Sequence, residues 1–235
     1  MLTENDFKWY CPVPEISDWL CKAIPPSARV LDIGPGLYPF TRADVFVDIT
    51  DRFEEVPKDK LVICDVAKYD LPFADKSFDF IYCRQVLEDL FDPFHLCREM
   101  SRVGKAGYIE TPSPLVELCV GIDGSSPVYR GYHHHRYVVW AEADKQQLSF
   151  VTKYPIIEYL TINGDFLAEH LRSGARYWNT YYPWKDKIKF KHYENGSDFD
   201  FWKDYVGLLN TSINQSKAAT DTITTKLVNN QTKVA

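Results

Sequence analysis

Residues 30–36 read Val30-Leu31-Asp32-Ile33-Gly34-Pro35-Gly36, an apolar run that closes on an acid and two glycines. Glycine has no Cβ, so Gly34 and Gly36 permit a sharp turn and let a ligand approach the main chain beside the Asp32 carboxylate. Two further apolar runs close the same way, Val45-Phe46-Val47 on Asp48 and Leu61-Val62-Ile63-Cys64 on Asp65. A glycine turn at the carboxyl end of a first strand is where open α/β sheets hold nucleotide-like ligands, and an acid after the second strand accepts hydrogen bonds from ribose hydroxyls. Together the three ends predict the rim of one pocket. The dinucleotide fingerprint is not met, because Pro39 stands where its third glycine would open a helix.

The second group with chemistry in it is Tyr132-His133-His134-His135-Arg136-Tyr137. Imidazole takes up a proton near neutral pH, and a hydroxyl attacks poorly until its proton is leaving, so His133, His134 and His135 are candidate bases. Asp89, in Gln85-Val86-Leu87-Glu88-Asp89, would act as a base itself or orient a histidine. If Val86 begins a helical turn, Gln85 and Asp89 lie four apart on one face; a helix-starting acid favoured by the dipole is the structural alternative. A metal is weighed and not favoured. Adjacent residues of an extended segment face opposite sides, so at most two of the histidines would share an ion. Magnesium or calcium would instead draw on oxygens such as those of Asp89, Asp123 or Glu110. A solvated or hydrogen-bonded role for the histidines stays open.

The elements that must position these groups follow from periodicity. Residues 14–24 have helical apolar spacing and stop at Pro25-Pro26; this helix is expected on the sheet edge, with Trp9 or Tyr10 over the ligand. Strands are predicted at 28–33, 45–49, 61–64, 78–82 and 107–111, and a helix from the Asp92 cap and Pro93 through Gly104. Pro39 leaves residues 37–44 as a loop or a single turn. The glycines and serines of 115–136 predict a loop-rich segment on the substrate side. Aromatic residues crowd 174–184, where packing is favoured over acceptor stacking, and Lys185, Lys187, Lys189 and Lys191 alternate as in an edge strand. Residues 211–235 are polar and are expected to bury too little to offset their ordering.

Residues 30–114 resemble the class I S-adenosylmethionine (SAM) dependent methyltransferases, in particular the type-11 group. There an acid-x-Gly-x-Gly turn packs against the methionine part of the cofactor, which corresponds to Asp32, Gly34 and Gly36. The ribose-holding acid corresponds to Asp48, and the acid near the adenine amino group to Asp65, with Val66 beside it. Arg84 would contact the cofactor carboxylate or cover the sheet end. Residues 70–83 are similar to the family's lead-in to its fourth strand, and His135-Arg136 to a His-Arg-Trp pattern, with Tyr137 in the last place. The chain departs from the family at Gln85 and Asp89, where histidines are common, and in its missing first helix.

The resemblance implies an α/β, Rossmann-like SAM methyltransferase sheet, mostly parallel with a later antiparallel part and helices on both faces. The expected organisation is an N-terminal helical segment at 1–27, a methyltransferase domain at 28–210 with a substrate-side insertion at about 113–136, and a polar tail at 211–235. With 235 residues and 45% hydrophobic content, one such domain can bury its own core. A net charge of −6 argues against a nucleic acid substrate, and no apolar run is long enough to cross a membrane. Six scattered cysteines and a start without a signal-peptide profile predict a cytoplasmic, reducing location. The expected activity is SAM-dependent methyl transfer, S-adenosyl-L-homocysteine being the product, to a small polar acceptor, preferably a sugar or glycan hydroxyl. The alternatives are N- or carboxyl-methylation of a small metabolite and a non-catalytic SAM-binding module.

Overall fold

The structure, a computed structural model, describes residues 11–125, 127–196 and 198–231. Trp9 and Tyr10 lie outside the described residues. The chain forms a Rossmann-like α/β fold around a six-stranded, mostly parallel sheet with one antiparallel strand. Two compact units are distinguished, residues 11–110 with 182–189, and residues 111–181 with 190–231.

The first unit begins with α1 (Pro14–Ala23), which starts on a proline and buries Ile16 and Leu20. Strands β1 (Val30–Ile33), β2 (Val45–Asp48), β3 (Leu61–Ile63), β4 (Phe80–Arg84) and β5 (Ala106–Pro112) follow, with α2 (Pro93–Val103) between the last two. β1 pairs in parallel with β2 and β4, Leu31 standing opposite Val45 and Ile81. All four residues of β1 are buried, as a central parallel strand requires. The chain continues to β8 (Asn179–Lys185), and the sheet order is β3-β2-β1-β4-β5-β8. Strand order reverses between β1 and β4, the switch point at which such sheets leave a crevice.

α2 has the predicted start: Asp92 accepts hydrogen bonds from the Phe94 and His95 amides, and Pro93 opens the helix. Residues 37–44 contain turns and no helix, as Pro39 predicts. Residues 85–90 depart from expectation, forming a bend and a single turn, with Gln85 at φ +55°.

The second unit holds α3 (Pro114–Glu117), strands β6 (Tyr137–Glu142) and β7 (Gln147–Thr152), α4 (Gly164–Ser173), β9 (Phe190–Tyr193) and α5 (Phe201–Gln231). Here β6 and β7 pair antiparallel and β9 joins β7 in parallel. The core gathers Val116, Trp140, Val151, Leu167, Leu171 and Leu209. Two expectations are corrected in this region. The alternating lysines do not share one strand: Lys185 ends β8, Lys191 lies in β9, and a turn with Asp186 at φ +64° separates them. Residues 211–231 continue α5, which buries Ser212, Ile213, Ser216, Ala219 and Thr220. The small Ser212, Ser216, Ala219 and Thr220 side chains let the helix seat closely beside the larger Ile213, and Gln215 accepts the Trp140 indole N–H at 2.6 Å. The polar composition therefore conceals one packed face.

Candidate functional site

A cleft of about 260 Å³ opens at the carboxyl ends of β1, β2, β3 and β4. Gly34, Gly36, Asp48, Asp65, Val66 and Asp89 all line it, so the predicted strand ends do converge. A larger open groove of about 470 Å³ against α1, lined by Trp19, Ala23, Pro25 and Phe80, contains none of the predicted site residues.

Both glycines of the turn have left-handed φ, +69° at Gly34 and +49° at Gly36, but they are required for different reasons. A Cβ on Gly34 would stand 2.3 Å from Val86 Cγ2, so this glycine lets the turn pack against the segment after β4. A Cβ on Gly36 would meet nothing within 4 Å; there the missing side chain leaves bare backbone at the cleft. The Gly34 amide is anchored on the Val47 carbonyl at 2.8 Å.

Asp32 is fully buried beside this turn. Its Oδ2 accepts the Phe40 amide N–H at 2.8 Å, whereas its Oδ1 has no hydrogen-bond partner among the described residues. Burial pushes the carboxyl up to about 7, against the lowering effects of the Phe40 amide and the Arg84 charge; Asp48 adds to the rise. Phe40, which sequence reasoning missed, also stacks on Tyr82 at 4.4 Å between ring centroids. Asp48 accepts the Thr50 amide at 3.1 Å. Asp65 accepts the Ala67 amide and pairs with Lys68 at 2.7 Å, and the Lys68 hydrogen bond holds its carboxyl below the usual range. Arg84 ends β4 in a buried ion pair, Nε to Glu110 Oε1 at 2.8 Å, and Tyr108 donates its hydroxyl to the other Glu110 oxygen.

SAM is a fair test of these residues. Its ammonium would supply a donor for the orphaned Asp32 oxygen, and its ribose hydroxyls would suit Asp48. Bare backbone at Gly36 leaves room for an amino-acid moiety. The residues present fit the group.

The histidines lie in the second unit and are not equivalent. Residues 133 and 134 form a turn rather than an extended segment. His133 is exposed and pairs through Nδ1 with Asp123, whose Oδ2 also accepts the His133 amide. His134 is exposed, with its ring 4.5 Å from that of His135. His135 is buried, and its Nδ1 meets Glu117 Oε1 at 2.6 Å. Glu117 is in turn 2.8 Å from Lys153 Nζ, which also donates to the Arg130 and Tyr132 carbonyls at 2.7 Å. Lys153 and His135 together hold Glu117 at about 2 in spite of its burial. Asp123, His133 and His134 bring three ligand atoms within 4.8 Å, but the acid is already paired with His133 and both rings face solvent, as in a hydrogen-bonded surface loop.

Sequence reasoning missed Glu117 and Lys153. The signal was a charge inside the apolar run Leu115-Val116-Glu117-Leu118-Cys119, where burial demands a partner. Gly131 gives this carboxylate its room, since a Cβ there would lie 2.5 Å from Glu117 Oε2.

One family match falls within the first unit. Residues 31–109 match the type-11 "Methyltransferase domain" family model. No curated protein matches the chain. Among solved structures, YcgJ of Bacillus subtilis is 24% identical over 42% of this chain and 50% of its own, with a TM-score of 0.35. A SAM-dependent methyltransferase from Mesorhizobium loti is 17% identical over 66% of this chain and 72% of its own, with a TM-score of 0.36. The methyltransferase in complex with the Haloferax volcanii Trm112 activator is 15% identical over 80% of this chain and 93% of its own, with a TM-score of 0.46. The matched part spans about half the length of the first of these structures. Residues 31–109, about a third of the chain, therefore resemble a type-11 methyltransferase domain by the family match, and they lie in the Rossmann-like α/β sheet.

Proposed function

We propose that the chain transfers the methyl group of SAM to a small polar acceptor, the preferred acceptor being a sugar or glycan hydroxyl. The observation that carries the cofactor half of this reading is the cleft where a glycine turn and the Asp48 and Asp65 strand ends meet, next to a buried Asp32 with one orphaned oxygen. Bound there, SAM supplies an electrophilic methyl on a sulfonium. Asp32, buried behind the turn, would receive the ammonium, Asp48 would hold the ribose and Asp65 with Val66 the adenine edge, while Gly34 and Gly36 keep the turn open. Arg84, tied to Glu110, keeps the end of β4 in place and adds positive potential for a carboxylate.

A hydroxyl acceptor needs its proton removed as it attacks. His135 is the proposed base, supported by its burial and its carboxylate partner; His133, His134 and Asp89 are the lesser candidates. The insertion at about 113–136, which carries the histidines, is the proposed acceptor-recognising segment. Six free thiols suit a reducing compartment, for which the cytoplasm is our assignment. No described helix is long and apolar enough to cross a membrane.

Calorimetry with S-adenosylhomocysteine tests the cofactor reading, and absence of binding removes it. Labelled-methyl transfer into saccharide and metabolite pools, with and without chelator, tests the acceptor class. Incorporation into amines alone, unaffected by replacing His133, His134 or His135, rules out the hydroxyl.

A further inference from the structure

One residue of the helix-free loop at 37–44 reaches the buried acid beside the glycine turn. Asp32, Tyr82 and Tyr108 are register partners across β1, β4 and β5, so their side chains leave the sheet on one face. Phe40 closes over that row. Its ring stacks on Tyr82 at 4.4 Å with 10° between the planes, and Tyr82 continues the stack to Tyr108 at 5.7 Å. The Phe40 amide N–H donates to Asp32 Oδ2 at 2.8 Å. We propose that Phe40 is the positioning residue of Asp32, holding one carboxylate oxygen so that the other is kept for the cationic amino group of the cofactor.

An ionised carboxylate can only accept, and buried acceptors are paired. Asp32 is 1% exposed; its Oδ2 has the Phe40 amide, and its Oδ1 has no donor among the described residues, so a donor for it has to arrive with a ligand. The loop that carries Phe40 is pinned. Asp44 ties its far end to β1 twice, its Oδ2 accepting the Val30 amide and its own amide donating to the Val30 carbonyl, and the Ala43 amide donates to the Phe40 carbonyl at 2.9 Å. The ring stack fixes the amide, and the amide fixes the carboxylate. The charged and titratable groups around the acid are Asp48 at the end of β2 and Arg84, Tyr82 and Cys83 on β4. Burial pushes the Asp32 carboxyl up to about 7, and the Phe40 amide and the Arg84 charge oppose that rise while Asp48 adds to it. Tyr82 and Cys83 are both pushed up by burial and stay neutral. The Phe40 hydrogen bond therefore favours the ionised form of Asp32, the one that attracts a cation.

This inference rests on the cofactor reading above, and two ligands separate them. S-adenosylhomocysteine carries the ammonium; methylthioadenosine carries the same adenosyl thioether without the amino acid. In calorimetry, Phe40→Ala should weaken S-adenosylhomocysteine about tenfold or more, the scale of a charge-assisted hydrogen bond, and methylthioadenosine by less than about threefold. Phe40→Tyr, which keeps the ring stack, should restore the S-adenosylhomocysteine affinity. In the wild type that affinity should fall as pH drops below about 7 and Asp32 takes up its proton, while methylthioadenosine binding stays level. Phe40→Ala should move the fall to higher pH. Equal losses for the two ligands, or an unmoved pH profile, overturn the proposal and leave the cofactor reading standing. A wild type that binds only S-adenosylhomocysteine is judged by the pH profile alone, and one that binds neither ligand loses the cofactor reading and this proposal with it. If Phe40→Ala does not fold, Phe40→Leu, which keeps apolar bulk without the flat stack, decides by the same comparison.

Discussion

Asp32 is kept at a cost to the fold. Its folded carboxyl stands at about 7 against an ordinary 3.8, so its contribution to stability is fully present below about pH 4 and is lost as pH rises through 7. At pH 8 the ionised, half-orphaned carboxylate costs up to about 4 kcal/mol. Asp32→Asn should therefore melt several degrees above wild type at pH 8, with the gap closing toward pH 5, while binding S-adenosylhomocysteine at least tenfold more weakly. Equal melting points at all pH values would show that Asp32 is not strained in the free protein. The two glycines should separate in the same assays. Gly34→Ala, with its Cβ against Val86, should cost roughly 2–4 kcal/mol of stability. Gly36→Ala should cost about 1 kcal/mol and yet weaken cofactor binding markedly, because its methyl projects where bare backbone now meets the cleft. Denaturant midpoints and calorimetry distinguish the two.

At the level of elements, α5 bears most directly on the difference between composition and packing. A polar tail would tolerate any change at Ile213, whereas a seated helix would not. Ile213 is 5% exposed, and Ile213→Ala should lose about 2–4 kcal/mol in urea unfolding. A loss near zero would return the segment to the status of a tail. α2 and β1 were legible beforehand because local chemistry specifies them: an Asp cap followed by proline, and an unbroken buried apolar run. The segment after β4 was not. Gln85 at φ +55° turns the chain out of the strand, and nothing local in Gln85-Val86-Leu87 announces a left-handed residue.

For the molecule as a whole, the methyltransferase signature occupies the unit formed by residues 11–110 and 182–189, and the candidate base sits in the other. Ligand at about 100 times its Kd should stabilise the native state by about 2.7 kcal/mol. Amide exchange should then slow chiefly at residues 33–36, 47–49 and 64–66, along the stretches that line the cleft. Protection confined to the groove against α1 would place the ligand in the wrong cavity.

The order of strands and acids along residues 30–114 was determined by sequence alone, because each strand announces itself through a short apolar run and each site residue follows at its end. Convergence of Gly34, Gly36, Asp48 and Asp65 followed from topology, since parallel strands that close on acids must place those acids on one edge. What tertiary structure decided was the difference among three consecutive histidines. Their types and spacing are identical; only the distant Glu117 and Lys153, brought together by packing in a low-dielectric interior, single out His135.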